Sequence, residues 1–174
     1  MKRDAKQIDG LRELIALLGQ ITTTNEALLL RINEKIDAVK RADIESLRLA
    51  TFAEQRLVQE IDDHNGIRRP LMDRVGVALG FGPGVGRTMT VSQILERLPE
   101  KSASALTDAA TRLREVMVQV TQANRAAGTI CETMLGHLSA VFSSAASWGQ
   151  EATGYSNRGG LVATREARII ETVG

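Results

Sequence analysis

Glycines, carboxylates, two histidines and one cysteine are the side chains with which this sequence could do chemistry, and their spacing decides what that chemistry is. Gly82-Pro83-Gly84-Val85-Gly86-Arg87-Thr88 has the outline of a phosphate-cradling loop, in which backbone N–H groups and a lysine hold an anion. A Walker loop aligned on Gly86 needs glycine where Phe81 stands and lysine where Arg87 stands. It also needs a buried strand before it, whereas Asp73 to Leu79 reads as helix. A dinucleotide fingerprint begun at Gly80 and Gly82 demands glycine at Val85 and fails too. The stretch therefore reads as a hinge between helical blocks. Glu60 and His64 share a helical face, and Cys131, Glu132 and His137 fall within two turns of each other. Carboxylate-bridged metal sites in helical bundles use several Glu-x-x-His sets, and the sequence has none. Cys131, on an apolar small-residue stretch, reads as a packed thiol, and His64 and His137 as surface or boundary residues. No catalytic pair emerges. The expectation is a protein that is not an enzyme and uses no cofactor and no metal.

The elements that carry these residues follow from composition and periodicity. The chain has 174 residues, 43% hydrophobic and 25% charged, enough to bury a core in one domain. Lysine plus arginine number 22 against 21 acidic residues, a net charge of +1. Residues 1–79 carry 13 of each sign, so no basic stripe marks a nucleic-acid binder. One cysteine excludes an intramolecular disulfide. No charged leader precedes an apolar run, so the expected compartment is the cytoplasm, without membrane insertion. Only Phe52, Phe81, Phe142, Trp148 and Tyr155 are aromatic. A core of Leu, Ile, Val and Ala with few rings suits helix-on-helix packing better than a sandwich of sheets.

Leu14, Leu18, Ile21, Leu28, Ile32 and Ile36 recur at steps of three and four, with Asn25 filling the gap, which predicts a helix over about 4–40. Lys40-Arg41-Ala42-Asp43 reads as a tight turn in which Asp43 caps the next helix and Glu45 sits in its first turn. Ile44, Leu47, Thr51, Val58, Ile61, Leu71, Val75 and Leu79 continue the period over about 43–79. Pro70 presses on the carbonyl of Gly66, so a kink or brief break is expected at 66–70. A glycine-rich loop follows at 80–88. Thr90-Val91-Ser92-Gln93 fits a capping box and opens a short helix to about Leu98, which Pro99 ends. The last helix, about 100–146, carries Leu106, Ala110, Leu113, Met117, Val120, Asn124, Ala127, Ile130, Met134, Leu138, Val141 and Ala145. The fold class is all-α: an antiparallel, coiled-coil-like bundle over 1–146, with three long helices, one short one and a flexible tail at 147–174.

One feature of the last helix is anomalous. From Ala126 to Gln150 the only formally charged residue is Glu132, amid Ile130, Met134, Leu135, Leu138, Val141, Phe142 and Trp148. A bundle helix normally marks its wet face with charge. Either extra packing covers this stretch, from the short helix or from a homodimer, or it is a stripe that receives a partner's amphipathic helix.

Taken in order, these elements resemble the FlgN-type flagellar type III export chaperones. The resemblance rests on the turn Lys40-Arg41-Ala42-Asp43, then Leu47, Leu57, Ile61, Arg68, Met72 and Leu79. These are similar to that family's "Gly-Asp" hairpin and Leu-rich second helix with its Arg. Ala42 replaces the usual Gly, a departure that touches turn geometry. Leu113, Val120, Asn124 and Leu135 match the family's third helix with its Asn, and Tyr155-Ser156-Asn157-Arg158-Gly159 its Tyr-x-x-x-Gly tail. The likeness covers about residues 8–160. It implies a cytoplasmic chaperone that binds the C-terminal helical end of hook-associated (hook–filament junction) proteins, prevents their premature assembly and delivers them to the flagellar export gate. It further implies that Ile130, Met134, Leu135, Leu138, Val141, Phe142 and Trp148 meet cargo and that Tyr155 docks at the cytoplasmic domain of the gate. The alternative is an oligomeric coiled-coil scaffold without a secreted client.

Overall fold

A computed structural model describes residue 8 and residues 10–150, and among these no strand occurs. Helix α1 spans Leu11–Lys40, α2 Ile44–Ala78, α3 Val91–Leu95 and α4 Glu100–Gln150, with a 3₁₀ turn at Val85–Thr88 before α3. The chain divides into two compact units, residues 1–130 and residues 131–174.

In the first unit, α1 supplies the spine of the core. Leu14, Leu18, Ile21, Leu28, Ile32 and Ile36 are all buried, joined by Leu11 and Leu17. They fall into two apolar clusters. One gathers Ile8 to Ile21 of the first helix region with Leu71, Met72 and Val75 of α2, Met89, Ile94 and Leu98, and Leu106 of α4. The other joins Leu28, Ile32 and Ile36 to Val120 and Ala127 of α4. Between them α1 buries Thr22, Thr24 and Asn25. Two of these satisfy themselves within the helix: Thr22 Oγ1 donates to the Leu18 carbonyl at 2.8 Å, and Asn25 Nδ2 to that of Ile21 at 2.8 Å. Thr24 Oγ1 crosses to α2, donating to Glu60 Oε1 at 3.0 Å. Buried polar groups must be paired, and these are. α2 buries nothing between Ala50 and Leu71, so its middle rests lightly on the spine.

The first turn forms as its residues dictate. Asp43 Oδ1 accepts from the Ser46 N–H at 3.0 Å and Oδ2 from the Ser46 hydroxyl at 2.6 Å. Those bonds, first the hydroxyl and then the amide, with Arg41 nearby, hold the Asp43 carboxyl below its usual range. Glu45 is lowered likewise by the hydrogen bond and charge of Arg48. Ala42 takes the left-handed conformation, with φ of 53°. A side chain is strained there and glycine is not, so alanine at this turn has a structural cost. Lys35 and Glu54 pair across α1 and α2.

Five expectations are corrected. α1 begins at Leu11 after Gly10, whose φ of 80° no helix allows, so the start near residue 4 is not seen; residues 1–7 and 9 lie outside the described residues. α2 runs unbroken through Pro70, so the proline costs a hydrogen bond to the Gly66 carbonyl without interrupting the helix. Ile44 and Val58 continue the apolar period of α2 but are 79% and 45% exposed. α3 closes at Leu95, after the capping box between Thr90 and Gln93 has opened it. In α4 the core takes Ala109, Val116 and Ala123; the neighbouring choices Met117 and Asn124 are exposed.

The glycine loop is pinned to α2. Asp73 Oδ1 accepts from the N–H groups of Gly84 at 2.8 Å and Gly86 at 3.2 Å. Arg97 stacks over the Phe81 ring at 4.5 Å, a cation–π contact that closes the loop from the other side. Gly86 lies so close to α2 that a Cβ there would sit 2.5 Å from Met72 O and Asp73 Cα.

Candidate partner-binding face

The helical residues of the second unit present large apolar side chains to solvent. Leu135 is 65% exposed, Leu138 51%, Val141 64% and Phe142 71%, and Met134 is half-buried. At 3.6 residues per turn these five, with Ala145, fall within about 120° of the helix circumference. That is the width of a stripe by which a helix normally faces a core. The opposite side carries Gly136, Ser139, Ala140 and Ser143, all exposed. Glu132 is the one Asp, Glu, Lys or Arg on this part of α4, and none lies within the apolar face. Such an arrangement offers burial and no chemistry. A helix laid along it would hide apolar surface at roughly 25 cal/mol per Å².

The other residues expected at this face lie elsewhere or outside the described part. Ile130 belongs to the first unit and packs half-buried against its second apolar cluster. The Trp148 side chain, Tyr155 and the tail motif lie outside the described residues. Cys131 is half-buried and free. Among the described residues no group of three or more His, Cys, Asp and Glu gathers in metal-binding geometry. His64 Nδ1 is buried without a hydrogen-bond partner, beside Glu60 in an open polar groove that also includes Thr23, Asp108 and Arg112. The phosphate-loop reading meets a direct physical answer: the two N–H groups that would cradle an anion are already bonded to the carboxylate of Asp73.

The sequence reading missed a second groove, of about 780 Å³, in the first unit. Its apolar floor includes Leu18, Ile21, Ile61, Leu113 and Met117. Met117 was assigned to the core by its spacing; the signal available was its neighbour Val116, which fits the heptad equally well. No helix among the described residues is long and apolar enough to cross a membrane.

The fold is an all-α bundle, and α4 carries an exposed, uncharged apolar face. The FlgN protein family matches residues 3–163, and the chain belongs to that family. It is a family of flagellar export chaperones and not of enzymes, so the general role of this chain is in flagellum biogenesis and protein export. No match was found among curated proteins or among solved structures.

Proposed function

We propose that this chaperone carries hook-associated proteins, binding the helical C-terminal end of each on the apolar face of α4 at Met134, Leu135, Leu138, Val141 and Phe142. The observation that carries the reading is the exposure of four large apolar side chains on one face within eight residues of helix. Junction proteins that later pack their terminal helices against one another expose apolar stripes before assembly. A neutral apolar stripe covers such a helix without competing charges. Capture here keeps the client soluble in the cytoplasm, and delivery to the export gate follows, with Tyr155 as the docking residue by its place in the tail motif.

Isothermal titration of the full chain with a C-terminal fragment of a hook-associated protein tests the proposal. Leu138→Gln and Phe142→Gln keep helix propensity and remove the apolar contact. Each is expected to weaken binding about thirtyfold, the cost of losing a central anchor of ~2 kcal/mol. Tight binding that neither substitution changes overturns the assignment of this face. A homodimer in which Leu138 and Phe142 are buried, seen by light scattering and abolished by the same substitutions, replaces the client with a second copy.

A further inference from the structure

The groove in the first unit differs from the α4 face in one respect that identifies its occupant. Arg68, Arg114 and Arg125 stand along it, and no carboxylate lines it. None of the three arginines forms an ion pair with any described residue; Arg68 reaches only Asn65 Oδ1, at 3.4 Å. The other large groove of this unit is opposite in character, with Glu26, Glu60 and Asp108 against Arg112. In a chain that balances 22 basic against 21 acidic side chains, a groove with three guanidinium groups and no carboxylate among the described residues is a local departure. Its lining is largely apolar, and Met117 and Val118 of α4 within it are 52% and 50% exposed.

We propose that this groove is a second docking site, for an amphipathic helix of a partner protein that is apolar on one face and carries carboxylates along its flanks. Apolar anchors at i, i+3/i+4 and i+7 would enter between α1, α2 and α4. The flanking carboxylates would meet Arg68, Arg114 and Arg125, where guanidinium forks bind them bidentately. The α4 wall runs from Ala110 to Arg125, about 22 Å at 1.5 Å per residue, which matches a docked helix of four turns. The site is separate from Met134 to Phe142 and stands whether or not that face binds a client. Of the buried polar layer of α1 only Asn25 lines this groove, and the α2 wall beside it buries nothing between Ala50 and Leu71.

The test uses the full chain and two fluorescein-labelled peptides of about 16 residues, identical in their leucine face, one flanked by glutamates and one by lysines. Fluorescence anisotropy is expected to show the glutamate peptide binding and the lysine peptide at least about tenfold weaker, a difference that shrinks as salt rises. The exposed pair Arg114→Glu and Arg125→Glu should reverse the preference. Amide chemical shifts are expected to move along Leu18, Ile61 and Met117. Equal affinity for both peptides, binding of neither, or a preference the double charge reversal leaves intact overturns the proposal. A homodimer that the charge reversal dissociates overturns it as well, because the occupant is then a second copy of the chain.

Discussion

A single methyl group added at Gly86 should loosen the junction between the glycine loop and α2. In Gly86→Ala the new Cβ would stand 2.5 Å from Met72 O and from Asp73 Cα, both backbone atoms of a helix, whereas ordinary contact begins at 3.4 Å. Backbone cannot swing aside as a side chain does, so the 3₁₀ turn must retreat by roughly 0.9 Å. That retreat stretches the bonds from the Gly84 and Gly86 N–H groups to Asp73 and disturbs Met89, which seals the first apolar cluster. Overpacking of this kind costs typically 1–3 kcal/mol. At about 2–4 °C of Tm per kcal/mol for a domain of this size, a cost of about 2 kcal/mol lowers Tm by ~4–8 °C. Gly128→Ala is the matched control: nothing lies within 4 Å of its added Cβ and it sits inside α4, so it should stabilise by about 0.5–1 kcal/mol. Thermal unfolding followed by far-UV circular dichroism reads both. If the two substitutions shift Tm alike, or if Gly86→Ala leaves it unchanged, the close approach of loop and helix is refuted.

Ala42→Gly should relieve the left-handed strain at φ 53° and raise stability by about 0.5–1 kcal/mol in urea unfolding; a loss would show that the turn is not built this way. Asn25→Leu removes a side chain whose hydrogen bond stays within α1 and links the two apolar clusters, so a gain of about 1 kcal/mol is expected. Destabilisation would mean that the amide bonds across the bundle. The Asp43 carboxyl is held below its usual range by Ser46, so its stabilising effect is present above the unfolded carboxylate value and is lost as pH falls through the depressed folded value. Asp43→Asn keeps a capping oxygen without the charge, and its Tm should vary less than that of the unsubstituted chain below about pH 4. Parallel acid profiles would contradict this.

Much of the fold was legible because α1 has large apolar side chains at unambiguous steps: each of its six predicted core residues is buried. The Asp43 cap and the Thr90–Gln93 box were legible for a related reason, since short polar side chains bond their own backbone. α4 was harder. Its core stripe includes Ala109, Ala123 and Ala127, and small residues stand equally well on the next position, so Met117 and Asn124 looked as inward-facing as Val116 and Ala123. In α2, Ile44 and Val58 have the spacing of core residues but stay 79% and 45% exposed; periodicity reports which side chains share a face, not how far a neighbour covers it. The pinning of the loop by Asp73 joins residues 11 and 13 apart through a side-chain orientation that spacing does not encode. The candidate face was visible as a nearly uncharged run, yet its division into Ile130, packed on a core, and Leu135 to Phe142, exposed, required the tertiary structure.

Hydrogen–deuterium exchange of the full chain, with and without the C-terminal fragment of a hook-associated protein, tests whether the bare apolar side of α4 accepts another protein's helix. Fast exchange over residues 134–146 in the free chain and strong slowing there on adding the fragment are expected. Slow exchange over these residues before the fragment is added, or a complex that forms while they go on exchanging freely, would contradict this.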